Sequence, residues 1–185
     1  MNRLFTNGLF RNVRSWPNRA TPVDVGMSFL YGVNFFCAYH LFVEYVGSIQ
    51  QVYGPSMLPT MSTHGEAILE NRLSFYRHGA ASLHRGSMIT FHSPLSPSRV
   101  VCKRIIGLPG DIVCVDPTGL KAPSTEHAVV PKGHIWVAGD NATWSTDSRD
   151  YGPVPMGLVR GHMFARIYPF SKATIFPNTM TYIDE

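Results

Sequence analysis

A mainly β domain carried behind one apolar helix is the architecture that this 185-residue sequence predicts. Three observations predict it. Residues 25–43, VGMSFLYGVNFFCAYHLFV, run 19 positions without Asp, Glu, Lys or Arg. Past residue 50 the apolar runs are short, rich in Val and Ile, and punctuated by Gly and Pro at close intervals. No long amphipathic helical pattern appears in that region. The length allows one modest domain plus an appendage.

The first element is a basic arm, residues 1–22. Arg3, Arg11, Arg14 and Arg19 stand in it with no acidic residue before Asp24, and these four equal the whole formal net charge of +4. The basicity therefore belongs to a short arm and not to a nucleic-acid-binding face, since no basic stripe with interleaved aromatics follows. No nucleic-acid partner is expected. The anchor, residues 23–47, comes next. As a helix its uncharged run spans roughly 28 Å at about 1.5 Å per residue, close to the hydrocarbon thickness of a bilayer. Asn34 and His40 fit the alternative of a buried core helix, and Asn34 also has the chemistry to bond a partner helix. With the arginines before the run and Glu44 after it, the positive-inside rule keeps the arm on the matrix or cytoplasmic side and sends residues 45–185 across. The run lacks the A-x-A ending of a cleaved secretory signal, and an Arg-rich, acid-poor arm suits mitochondrial import.

The next segment is GPSMLPTM, residues 54–61. Pro55 and Pro59 keep it from running as a helix and hold Ser56 on a rigid, turn-like backbone, which suits a nucleophile. Ser56 lies 12 residues after Glu44, an extended reach of about 40 Å at most, so it is expected near the membrane surface. Met57 and Leu58 either meet lipid or an apolar substrate segment, or fill the core beneath the turn. Strands are expected over 67–70, 87–91, 100–106, 112–115, 135–137 and 158–168.

The strand at 100–106, VVCKRII, closes on the turn GLPGD and carries Lys103 among apolar neighbours. The other lysines, Lys121, Lys132 and Lys172, sit in loop-like GLKAPS, VPKG and FSKA, where an ammonium stays solvated. Full burial lowers a lysine pKa by about 3 to 5 units from about 10.4, enough to give a neutral amine that takes a serine proton. The plain structural alternative makes Lys103 and Arg104 solvated charges on an exposed strand face and Ser56 a turn serine. After the strand HIWV, the segment AGDNATWSTDSRDYGPVPMG crowds Asp140, Asn141, Ser145, Asp147, Ser148 and Arg149 together, the density of a site. Their structural alternative is loop capping and surface pairing.

Rival chemistries fit less well. Ser56 is followed by Met57-Leu58 in place of a G-x-S-x-G elbow, and no S-x-x-K lysine follows it. A serine–histidine pair would draw on His134 or His162. No HExxH and no Cys/His cluster occurs, so neither a metal nor another cofactor is expected. Cys102 and Cys114 flank the GLPGD turn and read as free thiols more readily than as a disulfide; Cys37 lies in the anchor. Asn141-Ala142-Thr143 matches a glycosylation sequon but falls inside the polar cluster. Residues 171–185 read as a loose polar tail.

Taken in order, SMLPT, CKRIIGLPGD, GHIWVAGDN and STDSR followed by YGPVPMGLVRG resemble the signal peptidase I family of membrane-bound serine proteases, and within it the mitochondrial inner membrane peptidase branch, over residues 50 to 170. The resemblance implies a β-sheet catalytic core over 48–170. It makes Ser56 the nucleophile and Lys103 the general base that later protonates the leaving amine. By the same resemblance Ser145 orients the lysine, Asp147 and Arg149 brace the site, and Asp140 with Asn141 forms the preceding turn. Some bacterial relatives place a serine two positions before the nucleophile to bind the oxyanion; here that position is Gly54, so the Ser56 amide is the expected donor and the second donor has no assignment. Only about 20 residues separate GLPGD from GHIW, so no second domain is expected there.

The expected activity is removal of sorting presequences from precursor polypeptides delivered to the mitochondrial intermembrane space, with a second, related peptidase subunit as partner. The rivals are a bacterial-type signal peptidase, an inactive membrane scaffold for a partner protease, and a soluble self-cleaving regulator.

Overall fold

The structure is a computed structural model, and it describes residues 22–176. The basic arm up to residue 21 and the tail from residue 177 lie outside the described residues. The described chain falls into two units that divide at residue 40.

The first unit is helix α1, Pro22–Leu41. Its sequence is apolar all round, so no stripe faces a core, and Phe29, Phe35 and Phe36 are each at least 70% exposed. A wide turn, Phe42–Val46, follows it. Val23–Val46 is long and apolar enough to cross a membrane, and residues 23–42 are exposed along their whole length.

The second unit is a sheet of eight strands: β1 (Gly47–Val52), β2 (Glu66–Asn71), β3 (Met88–Ser93), β4 (Ser96–Gly107), β7 (His134–Ala138), β8 (Val154–Pro155), β9 (Val159–Tyr168) and β10 (Thr174–Ile175). A separate hairpin pairs β5 (Ile112–Cys114) with β6 (His127–Val129). Every pairing is antiparallel, and the order across the sheet is β1-β2-β9-β3-β4-β7-β8, with β10 added to β9. Helix α2 (Leu73–His78) connects β2 toward β3, and the one-turn helix α3 (Ser148–Tyr151) precedes β8. The fold class is the expected one, mainly β behind a single apolar helix.

Three apolar clusters hold the sheet. Ile89, Phe91, Ile105, Ile135 and Val137 form the centre of the first. Met57, Met61, Ile68, Met88 and Met163 form the second, and Val113, Val130 and Trp136 join the β5–β6 hairpin to β7 in the third. Each expected strand is present within a residue or two at its ends, except that β4 starts at Ser96, earlier than expected. Strand β1 has no counterpart in the sequence reading because Gln50 and Gln51 interrupt its apolar run. Helix α2 has too few residues for a period to show. Strand β10 lies in the segment read as loose tail and is held by pairing to Arg166 and Ala165 of β9.

Candidate active site

Ser56 follows β1 through a backbone that only glycine enters readily. Gly54 has φ 109°, in the region where a Cβ is strained, and its N–H donates to the Thr63 carbonyl at 2.7 Å. A serine at that position would be strained. The chain then makes a tight turn, Pro55–Met57, closed by the Leu58 amide on the Pro55 carbonyl at 3.2 Å. Met57 is 1% exposed in the methionine cluster, so of the two uses open to it the structure selects core filling. Ser56 itself is half-buried. From the other side Asn141 grips the turn twice, with its amide N–H on the Ser56 carbonyl and its Nδ2 on the Pro55 carbonyl, both at 3.1 Å. That side chain is engaged within the fold.

Lys103 sits on β4 between β3 and β7, opposite Ile89, and is 4% exposed. Its face of β4 continues through buried Ile105. The solvated-strand alternative therefore does not hold for Lys103. Burial pulls its pKa below the ordinary lysine value; the Asp147 carboxylate pulls it back up, while Arg149 and Lys121 add to the lowering. Cys102 is pushed up to about 12, first by burial, and so stays a thiol. Arg104 faces the other way and is not a free surface charge: its Nε and Nη2 take the Asp140 carboxylate at 2.8 and 2.7 Å, and Nη1 donates to the Gly86 carbonyl. Asp140 also accepts from the Thr60 hydroxyl, which ties the chain after Ser56 to the strand that carries Lys103.

The segment 139–150 closes the site. Asp147 is fully buried and accepts from the Gly139 amide at 2.8 Å, the Ser145 hydroxyl at 2.5 Å, and the Arg149 amide and guanidinium. Burial alone would raise its pKa; the Arg149 guanidinium, the Gly139 amide and the Ser145 hydroxyl outweigh it and hold the carboxyl below the usual range. Asp147 also caps α3, in a reciprocal pair with Asp150. Ser145 has spent its one proton on Asp147, so toward an amine it is an acceptor only. The Val137 amide N–H donates to the Ser148 hydroxyl oxygen at 3.0 Å, which anchors the segment back to β7.

Gly139 is where these parts meet. A Cβ built there would stand 2.2 Å from Ser145 Oγ and 2.5 Å from the Ser56 carbonyl oxygen, so the Ser56 backbone and the Ser145 hydroxyl both converge on a position that has no side chain. Sequence reading passed over Gly139, although its place in GHIWVAGDN was the available signal. It also passed over Asp116, buried and beside Arg149 at 3.9 Å, because that residue sits in a loop with no motif. Lys121 is a correction. It was expected as a solvated loop lysine, yet its Nζ donates to the Ser145 carbonyl and to Asp150 Oδ2, each at 2.5 Å.

Ser56 and Lys103 line one cleft of about 530 Å³, with Gln50–Val52 of β1 on one side and Val100–Cys102 of β4 on the other. Tyr53, Leu95 and Trp144, all at least 65% exposed, stand at its mouth. A cavity of about 600 Å³ elsewhere contains neither residue; His162 lies there, 3.3 Å from the Ser82 hydroxyl, and His134 Nδ1 meets the Lys132 carbonyl. Neither histidine lines the Ser56 cleft. Among the described residues no cluster of His, Cys, Asp or Glu has the arrangement of a metal site, and Cys37, Cys102 and Cys114 are free thiols.

The chain is similar to known proteins. Residues 27–122 and 117–168 match the family model described as signal peptidase, peptidase S26. The mitochondrial inner membrane protease subunit 1 of Schizosaccharomyces pombe is 44% identical over 132 residues, which cover 70% of this chain and 79% of that protein. The mitochondrial inner membrane protease subunit 2 of Saccharomyces cerevisiae is 37% identical over 128 residues, 67% of this chain and 70% of that protein. A crystal structure of a signal peptidase I from Enterococcus faecalis V583 aligns with a TM-score of 0.34 at 27% identity, covering 43% of this chain and 95% of that one.

Proposed function

The chain belongs to the signal peptidase, peptidase S26, family and is a protease, and from that premise we propose that it is a serine endopeptidase with Ser56 as nucleophile and Lys103 as general base. The observation that carries this reading is the shared cleft: a half-buried serine on a rigid turn and a deeply buried lysine with a lowered pKa line the same space. A neutral Lys103 amine takes the Ser56 proton as Oγ attacks the scissile carbonyl carbon, and the tetrahedral oxyanion collapses to an acyl-enzyme. The Lys103 ammonium then gives its proton to the leaving amine. Water, deprotonated by the same amine, attacks the ester and frees Ser56. Ser145, as an acceptor fixed by Asp147, orients the amine; Asp140, Asn141, Asp147 and Arg149 hold the Ser56 turn and the 139–150 segment in place. The Ser56 amide is the assigned oxyanion donor.

The substrate follows from the cleft's walls. Strand β1 pairs with β2 on one edge only, and its Gln50–Val52 stretch lines the cleft, so an extended peptide adds along it with alternate side chains entering. We assign the substrates as precursors bearing sorting presequences and delivered to the mitochondrial intermembrane space. Supporting this are the names of the relatives, the Arg-rich arm and the candidate span Val23–Val46; the topology assigned here, by the positive-inside rule, has the arm in the matrix and the domain across the inner membrane. Likeness to both subunit 1 and subunit 2 of the named proteases supports a related second subunit as partner.

The test is processing of an intermembrane-space precursor by membranes carrying wild type, Ser56→Ala or Lys103→Ala, with protein abundance checked. Loss of cleavage in both variants at normal abundance is expected. Undiminished cleavage with Ser56→Ala would assign the chemistry to a partner and leave this chain as a scaffold.

A further inference from the structure

We propose that Lys121, on the connection between β5 and β6, is a positioning residue for the reaction: it grips both ends of the Ser145–Asp150 segment and keeps a fixed positive charge beside the site. The inference rests on the Ser56/Lys103 reading. Its structural basis starts at Asp116. That buried carboxylate accepts from the Thr118 amide at 3.0 Å, the Thr118 hydroxyl at 2.6 Å and the Lys121 amide at 2.7 Å, which folds 116–121 into a closed turn. Burial of the carboxylate and its approach to Arg149 seat this turn against the 139–150 segment.

From the turn the Lys121 ammonium reaches across. The residue stands on an open loop, yet its side chain is only 23% exposed, because Nζ donates to the Ser145 carbonyl and to Asp150 Oδ2. Asp150 Oδ2 also accepts the Asp147 amide at 2.9 Å. One ammonium thus fixes the backbone of Ser145 at one end and the carboxylate that caps Asp147 at the other. A charged donor shared between a carbonyl and a carboxylate is directional and strong. Ser145 in turn points its hydroxyl at Asp147, so a shift of its backbone moves the acceptor that orients Lys103.

The charge matters as well as the bonds. The titratable and charged groups acting on Lys103 are Cys102 on its own strand, Asp147 and Arg149 from the 139–150 segment, Lys121 from the β5–β6 connection, and Asp140 after β7. Lys121 and Arg149 both oppose protonation of Lys103. Loss of the Lys121 cation removes one of these opposing charges and frees the Ser145 carbonyl, so protonation of Lys103 becomes easier.

The test is the pH dependence of kcat/KM on a presequence peptide for the full-length protein in detergent, comparing wild type, Lys121→Met, Lys121→Gln and Lys121→Arg, with Ser56→Ala as blank. Both neutral variants are expected to move the acid limb to higher pH by about 0.5 unit or more, roughly a threefold loss of rate on that limb. Lys121→Arg, which keeps charge and donors, is expected to restore the wild-type limb. Lys121→Gln serves where Lys121→Met does not fold. A limb that stays in place in the neutral variants, whatever happens to the thermal midpoint, would show an ordinary surface ion pair and overturn the proposal. Residual activity in Ser56→Ala would overturn the Ser/Lys reading instead.

Discussion

Lys103 owes its proposed chemistry to burial. An arginine at the position would keep the charge and fit a similar volume, but a guanidinium does not lose its proton in proteins and supplies no base. We therefore expect Lys103→Arg to lower kcat by about 10² to 10⁴-fold, the usual contribution of a general base, at unchanged abundance. The sign of the pH response follows from the lowered pKa: activity rises as pH increases through the Lys103 pKa and the amine becomes neutral. Substantial turnover in the arginine variant would remove the lysine from the mechanism. Serine and lysine were both legible from local signals, a proline-bounded turn and a cation in an apolar run. The hydroxyl of Ser145 was legible only as part of a polar cluster, since its commitment to Asp147 depends on how the segment folds back.

Among the elements, the Ser56 turn and the segment after β7 meet at Gly139, and β4 lines the same cleft as Ser56. The clash that a methyl group would meet there is with a backbone carbonyl as well as a hydroxyl, so the Ser56 turn itself has to move. Overpacking of this kind costs about 1 to 3 kcal/mol. Displacement near 1 Å is able to cost about 10²-fold in rate. Gly139→Ala is expected to lower kcat/KM by at least about tenfold beyond any loss of thermal stability. Measurement of both on the purified protein separates the effects, and wild-type kcat/KM would show slack between the turn and the segment. The strands of the sheet were readable because Val and Ile recur at pleat spacing between Gly and Pro. Strand β1 was not, because its place is decided by pairing with β2 and not by its own Gln-containing sequence.

At the scale of the whole molecule, buried carboxylates connect the elements, and they set a pH limit on folding. Asp116 is lowered to about 2, chiefly by the Thr118 hydroxyl against the opposing effect of burial. Asp140 and Asp147 end below the usual range because Arg104 with Thr60, and Arg149 with Gly139 and Ser145, outweigh the burial that would raise them. Folded pKa values below unfolded ones add stability that is fully present above the unfolded value, near 3.9, and is lost as pH falls through the folded values. The urea midpoint of the protein in detergent is accordingly expected to hold from about pH 7 to 5 and to drop steeply between about pH 4 and 2. A flat midpoint across the acid range would show that these carboxylates contribute little to folding.

The sequence by itself determined the fold class, the apolar helix and the family motifs, because strand patterning, proline-bound turns and uncharged runs are local properties of a chain; Ser56 and Lys103 were singled out by the motifs they stand in. Only the tertiary structure decided that Met57 fills the core, that Ser56 and Ser145 converge on Gly139, and that Lys121 reaches across to hold the Ser145–Asp150 segment. Those outcomes depend on long-range closure of loops, which brings together groups tens of residues apart and which no single window of sequence encodes.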